Sequence, residues 1–288
     1  MRCLPNPGIV RFPKSLSVTL LALVAALWLL SLSGLRADVR LPGLFSDNMV
    51  LQQGRPLKIW GWADPQEAVS VQFRKQTVKT TADADGRWAV TLRPERAGGP
   101  DAMVVTGKQR VEIGNVLVGE VWICSGQSNM EWPLHRSFEP QADIASADNP
   151  RIRLFTVPKK KALEPVDDVP AKWALCSPAT VPNFSAVGYY FGRALERSRQ
   201  VPVGLINTSW GGSPAEVWMS QAALEADAGY QRDILNAYTA QKRNYDQALA
   251  RWEQEKAEAD KAGQKFEKGR PGEPWRPAEL YNGMIAPL

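Results

Sequence analysis

The sequence predicts an α/β protein, a doubly wound parallel sheet preceded by a small all-β sandwich, and three observations predict it. Residues 38–115 hold short runs rich in β-branched and aromatic side chains at 58–62, 69–73, 78–82, 88–92 and 103–106, the signature of short strands. From 116 onward, apolar runs at 116–118, 121–124, 151–157 and 203–206 enclose a stretch of helical periodicity. Strand, helix and strand in that order build a parallel sheet. Residues 220–268 are rich in Ala, Gln, Lys and Glu, which describes long amphipathic helix rather than further sheet.

The first 37 residues stand outside this fold. Arg2, Arg11 and Lys14 precede an apolar stretch over 16–32, and Ser33-Gly-Leu-Arg-Ala37 closes it, the pattern of a secretory signal cleaved after Ala37. Such a stretch is short for a membrane anchor, so no membrane contact is expected once the leader is gone. An exported protein, periplasmic or extracellular, is the expectation. The leader holds four of the 35 basic residues and none of the 30 acidic ones, so the formal charge of +5 falls to 31 basic groups against 30 acidic. That balance gives no electrostatic reason for a nucleic-acid partner. Cys3 leaves with the leader, placing Cys124 and Cys176 in an oxidising compartment. A disulfide between them and two small buried thiols are equally open.

Within 38–115, Asp85-Gly86 predicts a hairpin turn between its two flanking runs. Alternation places one face of each strand inward. Trp60, Trp62 and Trp88 fall on these strands and belong to the core. Over 116–288, Trp122 falls inside an apolar run and is expected to be buried. Phe184, Val187, Phe191 and Leu195 recur at 3, 4 and 4, a stripe that would turn to the core. Leu235, Tyr238, Tyr245, Leu249 and Trp252, at 3, 7, 4 and 3, mark a long helix broken near Gly229, its stripe docked on the domain itself. Pro271, Pro274 and Pro277 end helical structure. Lys159-Lys160-Lys161 and the charged run over 253–268 read as solvated faces. Met284-Ile-Ala-Pro-Leu288 reads as the approach to another strand.

The sharpest chemical signal lies at 119–134, Gly-Glu-Val-Trp-Ile-Cys-Ser-Gly-Gln-Ser-Asn-Met-Glu-Trp-Pro-Leu. A serine in a tight glycine turn, straight after a β-prone run, is displayed above the end of a strand with backbone N–H groups beside it. Gly-Gln-Ser-Asn alone is also an ordinary turn and helix cap. A second segment, Val203-Gly-Leu-Ile-Asn-Thr-Ser-Trp-Gly-Gly-Ser-Pro-Ala-Glu-Val-Trp218, repeats the design, and two such turns can meet at one sheet edge. Gln127 and Asn129 are placed to orient the first turn or to contact substrate, with backbone bracing of the turn the favoured role, and Glu216 reads as a helix N-terminal carboxylate. Of the eleven tryptophans, Trp132 and Trp210 adjoin the two turns and are the candidates for stacking on a sugar ring.

With Leu44-Phe-Ser-Asp-Asn-Met-Val-Leu-Gln-Gln53 and Tyr281-Asn-Gly-Met-Ile-Ala-Pro-Leu288, these segments resemble the sialate O-acetylesterase family, carbohydrate esterases of the SGNH (GDSL-like) hydrolases. The resemblance runs from about Leu41 to Leu288. It implies an SGNH-like fold over 116–288 and a carboxylic ester hydrolase that removes O-acetyl groups from sugars, with sialic acids as the substrate class. Ser128 maps onto the nucleophile; the backbone N–H groups of Ser128 and Gly212 map onto the oxyanion hole, with Gly211 the alternative to Gly212. No cofactor is called for, and the sequence holds no plausible cluster of metal ligands. The family's Gln-Gly-Glu and Asp-x-x-His segments do not occur in this sequence. The expectation is therefore a domain whose C-terminal part is missing, weakly active or inactive by itself. The only histidine, His135, lies seven residues after Ser128 and is expected to point away from it. A non-catalytic carbohydrate-binding protein and a lipase-like or peptidase-like hydrolase are the competing readings.

Overall fold

The computed structural model describes residues 38–288; the expected secretory leader over 1–37 lies outside the described residues. The strands in chain order are β1 (Val50–Gln52), β2 (Leu57–Trp62), β3 (Ala68–Phe73), β4 (Gln76–Thr81), β5 (Arg87–Leu92), β6 (Gly98–Thr106), β7 (Arg110–Gly126), β8 (Asn149–Thr156), β9 (Ala174–Cys176) and β10 (Val203–Ser209). Eight form one mixed sheet, ordered β4-β3-β6-β7-β10-β8-β9 with β1 also paired to β7, while β2 and β5 make a separate antiparallel ribbon. The α/β class is borne out. Each β-prone run over 58–106 became a strand, and on β5 every second residue is buried, as period-2 alternation dictates.

β7 joins the two parts of the molecule. Its first half pairs antiparallel with β6, then β1 pairs parallel at 117–119, and β10 pairs parallel along 120–126. The domain boundary expected between 115 and 116 thus falls inside one continuous strand. The core crosses it as well: Phe73, Leu92 and Met103 share one cluster of buried side chains with Phe155, Ile206 and Met284. β10 lies between β7 and β8, and all of its residues are buried. Coverage on both faces explains its unbroken apolar start.

Several local expectations are corrected by tertiary contacts. The Asp85-Gly86 turn forms, with Gly86 at φ +75° and its N–H donating to the Asp83 carbonyl at 3.0 Å. It is not a hairpin turn. β4 pairs with β3 and β5 with β2, so the turn is a corner between two sheets that pack on a common core. The helix α1 (Ala186–Arg199) buries Ala186, Gly188, Tyr189 and Gly192, not Val187 and Phe191. Two glycines on one face let it approach the sheet: a Cβ on Gly188 would stand 3.2 Å from Cys124 Sγ, and one on Gly192 only 2.5 Å from Leu205. The larger side chains are left outside, where Phe191 meets the Trp122 ring at 5.1 Å. Trp122 is accordingly 44% exposed rather than buried.

The long helix α2 (Asn236–Lys261) has no fully buried residue. The chain breaks before it at Asp227, whose carboxylate caps the next turn by accepting from Tyr230 N–H at 3.0 Å. The returning chain meets the C-terminal end of the half-buried stripe of α2: Trp252 Nε1 donates to the Lys268 carbonyl at 2.7 Å and its ring meets Phe266. Residues Tyr281–Ile285 form a π-helical turn with Met284 in the core, not the approach to a strand. Lys159 and Lys161 stay exposed, as the solvated run predicts, and Lys161 also pairs with Glu279 at 2.9 Å and lies 4.0 Å over Trp275. Cys124 and Cys176 are free, buried thiols, each pushed up to about 11 chiefly by burial. Among the described residues no helix is long and apolar enough to cross a membrane.

Candidate active site

Two turns meet at the C-terminal ends of β7 and β10, the end at which open parallel sheets bind ligands. β7 finishes at Gly126, whose φ of +144° turns the chain sharply, and Gln127 then caps the four-residue helix Ser128–Glu131. β10 finishes in register, Ser209 opposite Gly126, and Trp210 N–H donates to the Gly126 carbonyl at 3.0 Å. That bond holds the Gly211-Gly212 turn beside Ser128. The Ser128 hydroxyl donates to Gln127 Oε1 at 3.0 Å, and Gly212 N–H donates to the same oxygen at 3.2 Å. Ser128 N lies 3.5 Å from it. Three donors therefore converge on one acceptor position.

Gly211 faces elsewhere. Its N–H donates to the Glu131 carboxylate, whose other oxygen accepts from Lys159. The Lys159 ammonium, with Gly211 N–H adding to it, holds the Glu131 carboxyl below the usual carboxylate range. Lys159 also lies 5.4 Å over the Trp210 ring. Gly212 adopts φ +79°, and a Cβ there would meet nothing within 4 Å. The turn needs glycine for its backbone conformation, not for space.

A cleft of about 580 Å³ opens beside Ser128, walled by Trp132, His135, Arg136, Lys159 and Asn207. Arg136 lies 4.7 Å over the Trp132 ring, and Trp132 Nε1 donates to the Arg136 carbonyl at 2.8 Å. His135 was expected to turn away from Ser128; the short 3-10 turn Leu134–Arg136 instead brings it to the same cleft. Its Nδ1 lies 2.9 Å from the Pro182 carbonyl, whereas the Ser128 hydroxyl bonds to Gln127. Trp210 does not line the cleft. It packs against Trp275 at 5.6 Å, with Lys159 over its ring.

The family model of carbohydrate esterases, sialic acid-specific acetylesterases, matches residues 118–267. The chain belongs to this family. It is 33% identical over 204 residues to the sialate O-acetylesterase of Rattus norvegicus, covering 63% of this chain and 38% of that protein. Identity to the sialate O-acetylesterase of Homo sapiens is 33% over 211 residues, 65% of this chain and 40% of the relative. The chain thus spans about two fifths of the length of these curated relatives. It also superposes on the crystal structure of a carbohydrate acetylesterase from Xanthomonas citri, with a TM-score of 0.68 and 34% identity over 87% of this chain and 48% of that one.

Several polar groups of this cleft escape a reading of the sequence. Asn207 and Ser209 stand two apart at the end of a buried strand and both reach the cleft, with Ser209 Oγ donating to Asn207 Oδ1 at 2.7 Å. Polar residues at period 2 on the last turn of an apolar strand were the available signal. Glu131 and Lys159 gave none, because their partners lie 28 and 80 residues away in sequence. The Gln127 side-chain oxygen braces both turns, accepting from Ser128 and from Gly212. Among the described residues no group of three His, Cys, Asp or Glu side chains is disposed to hold a metal ion.

Proposed function

We propose that the protein removes O-acetyl groups from sugars through an acetyl-serine intermediate on Ser128. The observation that carries this reading is the convergence of the Ser128 hydroxyl and the Gly212 N–H on one acceptor position at the edge of the cleft. Serine esterases need a hydroxyl and preorganised N–H donors in that relation. Ser128 Oγ attacks the acetyl carbon, and the backbone N–H groups of Ser128 and Gly212 hold the oxygen that takes up negative charge. The sugar hydroxyl departs with a proton, and water then releases acetate from the acetyl-serine. The proton given up by Ser128 needs a base. The family resemblance assigns that part to an Asp-x-x-His segment, and not to His135.

Sialic acids are the proposed substrate class. They carry a carboxylate, and Arg136 on the cleft wall, with no carboxylate partner among the described residues, supports an anionic sugar. The exposed Trp132 beside it offers an aromatic surface to a sugar ring. The leader-like residues 1–37 support action outside the cytoplasm.

Acetate release from an O-acetylated sialic acid and from a neutral acetylated sugar tests the reading. In a form that also carries the Asp-x-x-His segment, Ser128→Ala is expected to lower turnover by about 10³-fold or more with the fold intact, since losing a triad nucleophile leaves only binding and oxyanion contributions. Retention of more than about a tenth of the activity would remove Ser128 from the assignment. Sugar binding without Ser128-dependent acetate release would return the chain to a non-catalytic carbohydrate-binding protein.

A further inference from the structure

We infer that Gln127 keeps the acyl-oxygen site filled in the resting protein, and that the acetyl carbonyl of the substrate binds by displacing the Gln127 side-chain oxygen. The inference rests on the esterase reading of Ser128. An oxygen that is to become an oxyanion needs N–H donors aimed at it and the nucleophile's hydroxyl beside it. One position meets that pattern, and Gln127 Oε1 occupies it: 3.2 Å from Gly212 N, 3.0 Å from Ser128 Oγ and 3.5 Å from Ser128 N. An amide oxygen is a close surrogate for an ester carbonyl, with the same planar carbon and two lone pairs.

The fit is a stand-in's fit. Tethered through its own backbone next to Ser128, the Gln127 oxygen sits within reach of both N–H groups but beyond the usual N–H···O distance from Ser128 N. A substrate oxygen has no such tether and can centre between the donors. Gln127 is exposed, so its side chain can swing into water without leaving a cavity. Among the described residues its amide nitrogen donates to nothing, so only these contacts retain it. Displacement also frees the Ser128 hydroxyl, whose proton is otherwise directed at Gln127. One movement therefore opens the acyl site and releases the nucleophile.

A bracing residue and a competitor differ in sign. Truncating a brace weakens the site, whereas truncating a competitor improves ligand binding. Acetate carries the same oxygen into the same position without needing turnover. It would be titrated into the ¹⁵N-labelled protein while the Gly212 and Ser128 amide resonances are followed, with kcat and KM on an acetyl ester measured in parallel. Gln127→Ala is expected to bind acetate about 3- to 10-fold tighter, the size of one modest hydrogen bond, and to lower KM by the same factor. Gln127→Glu is expected to bind it about tenfold or more weakly, because a carboxylate holds the donors harder and repels the anion. If Gln127→Ala unravels the helix start, the amides of 128–131 will report it. Gln127→Asn then retains a capping side chain too short to span to Gly212, and the same gain is expected. Unchanged or weaker acetate binding in a folded Gln127→Ala or Gln127→Asn protein overturns the inference. No ester turnover by a wild-type form that also carries the Asp-x-x-His segment would count against the esterase reading, while the acetate titration would still decide the occupancy.

Discussion

Glu131 ties three parts of the chain to one carboxylate: the end of the helix that begins at Ser128, Lys159 after β8, and Gly211 after β10. The next N–H along, that of Gly212, points at the Gln127 side-chain oxygen, the proposed acyl-oxygen position, so Glu131 positions a donor it does not touch. Glu131→Ala is expected to lower kcat by about 10-fold or more with little change in KM, within the range for disturbing one oxyanion donor. Glu131→Gln keeps an acceptor for Gly211 and should lose less. The carboxyl is held below its ordinary range by Lys159. The contact is therefore intact above the ordinary carboxylate pKa and is lost as pH falls through the lower, folded value. An acid limb in the wild-type pH–rate profile that disappears in Glu131→Gln would match this; identical limbs would exclude it. Gly212→Val should reduce turnover by about 10²-fold through its φ of +79°. Full turnover by a folded Gly212→Val protein would move the oxyanion role elsewhere. Ser128 and Gly212 are legible in sequence because each follows a strand-like run in a glycine turn. Glu131 is not, since its meaning depends on residues far along the chain.

At the level of elements, β7 is the least conventional. Along 120–126 it pairs with β10 on one edge, and among the described residues no strand lies on the other. Ile123, 52% exposed on one face, and Trp122 with Phe191 on the other flank that edge with apolar side chains. Unpaired N–H and C=O groups next to apolar side chains favour association between chains. Residues 38–288 are therefore expected to self-associate, and Ile123→Lys should shift sedimentation toward the monomer without changing the thermal midpoint by more than a few degrees. An unchanged distribution would show that this edge is not sticky. The periodicity of α1 signalled a helix correctly but not its buried face, because the sheet accepts the glycine face that comes closest, not the face with the largest apolar side chains.

For the whole molecule, the β-rich first part and the α/β part share a strand and a core. Removing 38–115 would cut β7, remove β1 and β6 from its edges, and expose Phe155, Ile206 and Met284. Residues 116–288 alone are expected to show no cooperative thermal unfolding and no native near-ultraviolet dichroism, whereas 38–288 should show both. A cooperative transition in the shorter piece would establish the α/β part as an independent unit. Such sharing matters to the site, since the strand that presents Ser128 is anchored at its other end by β6.

What the sequence determined by itself is what depends on neighbours in the chain. Alternation made the strands, glycines at 86, 126 and 212 made the sharp turns with their positive φ values, and Ser128 followed from the strand and turn before it. Tertiary structure decided which strands paired, so that the Asp85-Gly86 turn became a corner between sheets. It also gave the exposed Lys159 and Lys161 their carboxylate and indole partners and moved Trp210 away from the cleft wall. The meeting of Gln127 Oε1, Ser128 and Gly212 belongs to the same category. Backbone preferences act over a few residues, whereas pairing, burial and the aim of a polar side chain are settled by what packs against it, and those partners are distant in sequence.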